Sequence, residues 1–158
     1  MTIVALIDFS AVTDRVFETA ASLADSLNGR VLLLHVVQPP ASADSAPGAV
    51  AAAAAEQSAD KHLARYEKRL QLDRLNVSKV LLRGEPVPLI REWCTRHRTG
   101  FLVMGTHGFN LPSGRLVGET VEGLLRRPPC PVILVPHPKL GRTRAPWPDS
   151  PPRNGMAA

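Results

Sequence analysis

The chain has 158 residues, the length of a single domain, which is enough to bury a substantial core. Its hydrophobic content of 44% is ordinary for a globular protein, and no apolar run approaches the roughly 18–20 residues that a membrane span requires. The net charge of +5 is concentrated near the end, where Lys139, Arg142, Arg144 and Arg153 stand against Asp149 and supply +3 of it, so a nucleic-acid-binding body is not indicated.

Residues 3–7, IVALI, form a short continuous apolar run rich in branched side chains, which predicts a strand buried on both faces. No charged leader precedes it, so the sequence predicts no secretion signal and a cytoplasmic protein. The period changes from Thr13. Val16, Ala20, Leu23, Ala24 and Leu27 recur at three- and four-residue steps, predicting a helix of about four turns stopped by Asn28-Gly29. Residues 31–37 are a second apolar run, broken only by His35, which reads as a packed strand residue. A loop rich in Pro, Ser and Ala (QPPASADSAPG, residues 38–48) opens into the alanine run 51–55 and a helix carrying Leu63, Tyr66 and Leu70.

A third strand is predicted over 77–83, ended by Gly84. Pro86 starts a helix on which Leu89, Ile90, Trp93, Cys94 and His97 share a face, and Gly100 ends it. Residues 101–104 make the fourth strand, residues 118–127 a short helix closed by Pro128-Pro129, and residues 131–135 the fifth strand. Strands alternating with helices through short connections predict βαβ units and a mostly parallel sheet in one three-layer α/β sandwich over residues 1–137. From residue 138 the chain reads as a disordered tail rich in Pro and Arg. Cys94 and Cys130 show no CxxC or metal-ligand spacing and read as reduced thiols, with a disulfide as the alternative.

The segment VMGTHGFNLPSGRLVGET, residues 103–120, places glycines at 105, 108 and 118 between the fourth strand and a helix. Together with LIDFS, LLLHVV, RGEPVPLI, LVMGTHG and CPVILVP at the ends of the other elements, it resembles the universal stress proteins over almost all of residues 3–136. In that family's nucleotide-binding members the pattern runs Gly, two residues, Gly, nine residues, Gly, then Ser or Thr. Gly105, Gly108 and Gly118 keep the spacing, but Glu119 stands where the hydroxyl residue belongs. The resemblance implies an open five-stranded parallel sheet ordered 3-2-1-4-5 with helices on both faces. In such a sheet ligands bind where the strand order reverses, beyond the carboxyl ends of strands one and four. Asp8 and Gly105 would then face one cleft.

The resemblance further implies bound ATP, with Mg²⁺ as a possible companion. It puts Asp8 and Val36 at base and ribose, and Gly105, Gly108 and Gly118 at the phosphates. Each has a plainer alternative. Asp8 equally suits a turn carboxylate bonding local amides, Val36 suits simple core, and the glycines suit a tight strand-to-loop turn. Glu119 would repel a phosphate, or stand in for one at the positive end of the helix, or share a cation with it; Arg115 would offset its charge. Thr120 is a possible phosphate donor, turned about 100° round the helix from Glu119. His107 is a lone loop histidine with no evident nucleophile beside it, so no catalytic residue is predicted. The function expected is non-catalytic nucleotide binding coupled to a homodimer formed through Val132, Ile133, Leu134 and Val135 of the last strand. The alternatives are an interaction module that has lost nucleotide binding and a slow nucleotide hydrolase.

Overall fold

The computed structural model describes residues 1–39, 46–72, 75–106 and 117–136. His107, Gly108, Gly114, Arg115, most of the 38–48 loop and the basic tail lie outside the described residues. Among the described residues nine elements follow in order: β1 (Thr2–Leu6), α1 (Thr13–Ser26), β2 (Arg30–Val37), α2 (Ala46–Leu72), β3 (Asn76–Arg83), α3 (Pro86–Arg96), β4 (Phe101–Gly105), α4 (Glu119–Arg126) and β5 (Val132–Val135). The five strands form one parallel sheet ordered β3-β2-β1-β4-β5, as expected. β1 lies at the centre, with Ile3 opposite both Val31 of β2 and Phe101 of β4.

The strand side chains divide by parity between two cores, because successive residues of a strand point to opposite faces. Ile3, Ala5, Val31, Leu33 and Val103 pack with Val16, Phe17, Ala20 and Ala24 of α1 and Leu63 of α2 on one face. Val4, Leu32, Leu34, Leu102 and Met104 pack with Ile90 and Cys94 of α3 and Val121 and Leu124 of α4 on the other. This double covering is why the strands read as unbroken apolar runs rather than alternating ones. α2 joins the core through Leu63 and also buries Ala52 and Ala59. It begins at Ala46, five residues ahead of the alanine run that predicts it.

The helix ends follow local chemistry. After α1, Asn28 takes a left-handed conformation (φ 47°) and the Gly29 amide bonds the Ala24 carbonyl at 2.8 Å, a Schellman closure. A Cβ on Gly29 would lie 2.7 Å from Ile3 Cδ1 and 2.9 Å from the Met1 carbonyl oxygen, so the turn is pressed against β1. The same closure ends α3, with Arg98 at φ 47° and the Thr99 amide on the Cys94 carbonyl. Pro86 opens α3 at its first turn, where a missing N–H costs nothing. Two expected core positions turn outward. Leu27 is 41% exposed beyond the last turn of α1, and His97 is exposed and stacks on Trp93 at 3.9 Å. Among the described residues β5 has a strand neighbour on one side only, and Arg15 Nη1 donates to the Pro136 carbonyl just past its end at 2.8 Å.

Candidate functional site

The reversal of strand order between β1 and β4 opens a cleft of about 500 Å³ at the carboxyl ends of the central strands. Asp8 from the end of β1, Val36 from β2, Gly105 from β4, and Gly118, Glu119 and Thr120 from the start of α4 all line it. Six of the eight predicted site residues thus meet in one hollow; Gly108 and Arg115 lie outside the described residues. Its apolar side comes from Pro86 and Ile90 of α3, Met104 of β4 and Val121 of α4.

Asp8 has a local task as well as a place in the cleft. Its Oδ1 accepts from the Ser10 amide at 3.0 Å and from the Thr13 hydroxyl at 3.1 Å. Between them Phe9 adopts φ 59°, a left-handed conformation that is costly for a side chain of this size. The carboxylate therefore braces the sharp turn from β1 into α1, and both readings of Asp8 have a structural basis. α1 has no side-chain cap at Val12, so Asp8, Ser10 and Thr13 organise its start from within the turn.

At the other end of the cleft, Gly118 is extended (φ −71°, ψ 161°) and caps α4. Its amide donates to the Thr106 carbonyl at 2.8 Å, joining the start of α4 to the end of β4. Glu119 and Glu122 place two carboxylates in the first turn of this eight-residue helix. Thr120 faces the same cleft as Glu119, although it is one residue further round the helix. Among the described residues that line the cleft there are two carboxylates, Asp8 and Glu119, and no Lys or Arg. No cluster of three His, Cys, Asp or Glu side chains that could hold a metal ion occurs among the described residues.

His35 is the neighbour that the sequence did not single out as part of this region. It lines the cleft beside Val36, and its Nδ1 donates to the Ile7 carbonyl at 2.6 Å. Burial pushes its pKa below the ordinary value of 6.5, against the opposing pull of the Ile7 carbonyl and the Asp8 charge. The ring lies 4.6 Å from that of Phe9, which in turn lies 5.3 Å from His62 of α2. Gln38, just past β2, also reaches the cleft.

Cys94 and Cys130 are both free thiols, in keeping with the reduced reading, but they are not independent. Cys130 packs against the core cluster that contains Cys94, between α3 and the residues leading into β5. Burial pushes both pKa values up, that of Cys130 to about 11, with the adjacent Cys94 adding to the shift. Thirty-six positions separate them in the sequence, and no spacing motif signals the contact.

A family model described as "Universal stress protein family" matches residues 1–136. Among solved structures, the chain is similar to universal stress protein UspA from Lactobacillus plantarum, at 20% identity and a TM-score of 0.75, covering 85% of this chain and 97% of that one. It is also similar to a universal stress protein in complex with cAMP, at 20% identity and a TM-score of 0.59, over 87% and 97% of the two chains. A universal stress protein from Archaeoglobus fulgidus in complex with dAMP matches at 20% identity and a TM-score of 0.63, over 85% and 96%. At such identities these likenesses establish the fold. No curated protein matches the sequence.

Proposed function

The chain belongs to the universal stress protein family, and from that premise we propose that it binds an adenine nucleotide in the β1–β4 cleft without catalysing its turnover, and that occupancy is relayed through a homodimer. One observation carries the reading. The strand order brings Asp8, from one end of the chain, and Gly105, Gly118 and Thr120, from about a hundred residues later, around one hollow of about 500 Å³. Universal stress proteins solved with cAMP and dAMP support the choice of ligand. In this chain Asp8 would accept from ribose hydroxyls, Val36 would flank the base, and Gly105, Gly118 and Thr120 would lie towards the phosphate end. Where ATP is the ligand, Mg²⁺ would arrive with its phosphates.

The dimer reading rests on β5, whose Val132, Ile133 and Leu134 are half-buried within the protomer and whose outer edge has no strand beside it among the described residues. No helix among the described residues is long and apolar enough to cross a membrane.

The test is a titration of the ¹⁵N-labelled protein with cAMP and AMP, followed by amide chemical shifts. Saturable shifts centred on Asp8, Val36, Gly105 and Gly118 are expected. Binding that perturbs only distant amides, or no binding by any adenine ligand, overturns the reading and leaves a dimerising interaction module. Sedimentation of Val132→Asp beside the parent checks the second half of the proposal: the parent should sediment as a dimer and the variant as a monomer.

A further inference from the structure

Two helices share one side of the hollow. α3 contributes Pro86 and Ile90 to the lining, and α4 contributes Thr120 and Val121. Val87 and Arg91 of α3 and Gly123 of α4 do not line the hollow but meet each other behind it. Val87 and Arg91 stand four residues apart and so share a face of α3. A Cβ on Gly123 would lie 2.8 Å from Val87 Cγ2 and 3.3 Å from its Cγ1, so Val87 fills the space a side chain there would need. Arg91 then fastens the end of α4. Its Nη2 donates to the Gly123 carbonyl at 3.0 Å and its Nε to the Arg127 carbonyl at 3.1 Å. The Arg127 amide goes to the Leu124 carbonyl at 3.3 Å, so the Gly123 carbonyl takes its donor from α3. A helix of eight residues is too short to hold itself, and α4 owes its place to what it is fastened to.

We propose that Val87, Arg91 and Gly123 are positioning residues, whose seam sets how far the α3 wall stands from the α4 wall and so the width of the hollow offered to a ligand. The inference rests on the nucleotide-binding reading above for its ligand, and it names residues outside the lining that govern affinity. Carbon atoms in contact sit roughly 3.5–4.0 Å apart, so Gly123→Ala needs about 1 Å of extra separation from Val87. Val87 cannot swing clear cheaply, because a β-branched side chain on a helix has essentially one favoured rotamer. The helices must part instead. A gap of about 1 Å forfeits up to about half of the dispersion contact between a ligand and one wall, and affinity falls roughly tenfold.

The experiment takes three variants of the full chain, Gly123→Ala, Arg91→Met and the double variant Val87→Ala/Gly123→Ala, each checked for its thermal transition by circular dichroism. Amide shifts without ligand report across the seam. Gly123→Ala should move Leu89 and Ile90 of α3, and Arg91→Met should move Gly118 and Thr120 of α4. In calorimetric titration with cAMP, Gly123→Ala should bind roughly tenfold more weakly than the parent. The double variant, in which the added methyl takes the space of those removed, should recover most of that loss, and Arg91→Met, which adds no bulk, should weaken binding by itself. A folded Gly123→Ala that binds cAMP as the parent does, or a double variant that stays as weak as Gly123→Ala, defeats the inference while nucleotide binding stands. Where the parent itself does not bind cAMP, the nucleotide-binding reading falls and the amide shifts decide the seam: shifts confined to the helix that carries each change defeat it.

Discussion

Replacing Asp8 with alanine separates what this residue does for the fold from what it does for a ligand. Its Oδ1 holds two donors, the Ser10 amide at 3.0 Å and the hydroxyl of Thr13, a residue only 2% exposed. A hydrogen bond to a charged group contributes about 1.5–3 kcal/mol, and a buried donor left without a partner loses its hydration as well. Both bonds are partly buried, so each sits towards the low end of that range. Together the two bonds, and the left-handed Phe9 that they steady, should make Asp8→Ala about 2–4 kcal/mol less stable than the parent. For a chain of this length that is a fall in Tm of about 5–12 °C. Asp8→Asn keeps a carbonyl oxygen in the same place and should lose about 1 kcal/mol or less. Urea denaturation followed by circular dichroism reads both values. A loss below about 0.5 kcal/mol in Asp8→Ala, or equal losses in the two variants, refutes the bracing role.

Three further predictions follow from the same geometry. His35 is held neutral below its ordinary pKa of 6.5, so the unfolded chain binds more protons than the folded one in acid. Stability should be level above pH 6.5 and decline as the pH falls from there towards the depressed folded value; His35→Gln should flatten that decline in denaturation midpoints measured between pH 5 and pH 8. With the Cys130 thiol at about 11 and that of Cys94 raised by burial, both should react slowly with a thiol-directed disulfide reagent in the native protein at pH 7.5. Addition of denaturant should release two equivalents rapidly; rapid native labelling refutes the burial argument. Gly29→Ala forces a methyl group against Ile3 and the Met1 carbonyl and should cost about 1–3 kcal/mol in the same urea assay.

The parts of the fold that the sequence discloses are those governed by nearest neighbours along the chain. The runs at 3–7 and 31–37 announce strands because both faces are covered, and Asn28-Gly29 announces a helix end because a left-handed residue is required there. The strand order came from the resemblance carried by the glycine spacing, and the structure bears it out. Contacts made through space are what periodicity cannot carry. The Cys94–Cys130 pair, the bond from His35 to the Ile7 carbonyl and the tie between Gly118 and Thr106 all join residues whose spacing repeats nothing. Leu27 fits the helical period yet is exposed, because α1 has already ended at Ser26. Thr120, a possible phosphate donor about 100° round the helix from Glu119, borders the same hollow as Glu119 at the first turn of α4.

The pairing of Ile3 with Phe101 has a cost in time during synthesis. A ribosome adding about 5–20 residues per second makes β4 roughly 5–20 seconds after β1, whereas β2 follows within a few seconds. Through that interval a nascent chain holds its central strand with one flank bare, an invitation to chaperones or to stray strands. No half-made molecule can grip a ligand, so only a completed chain gains stability from one.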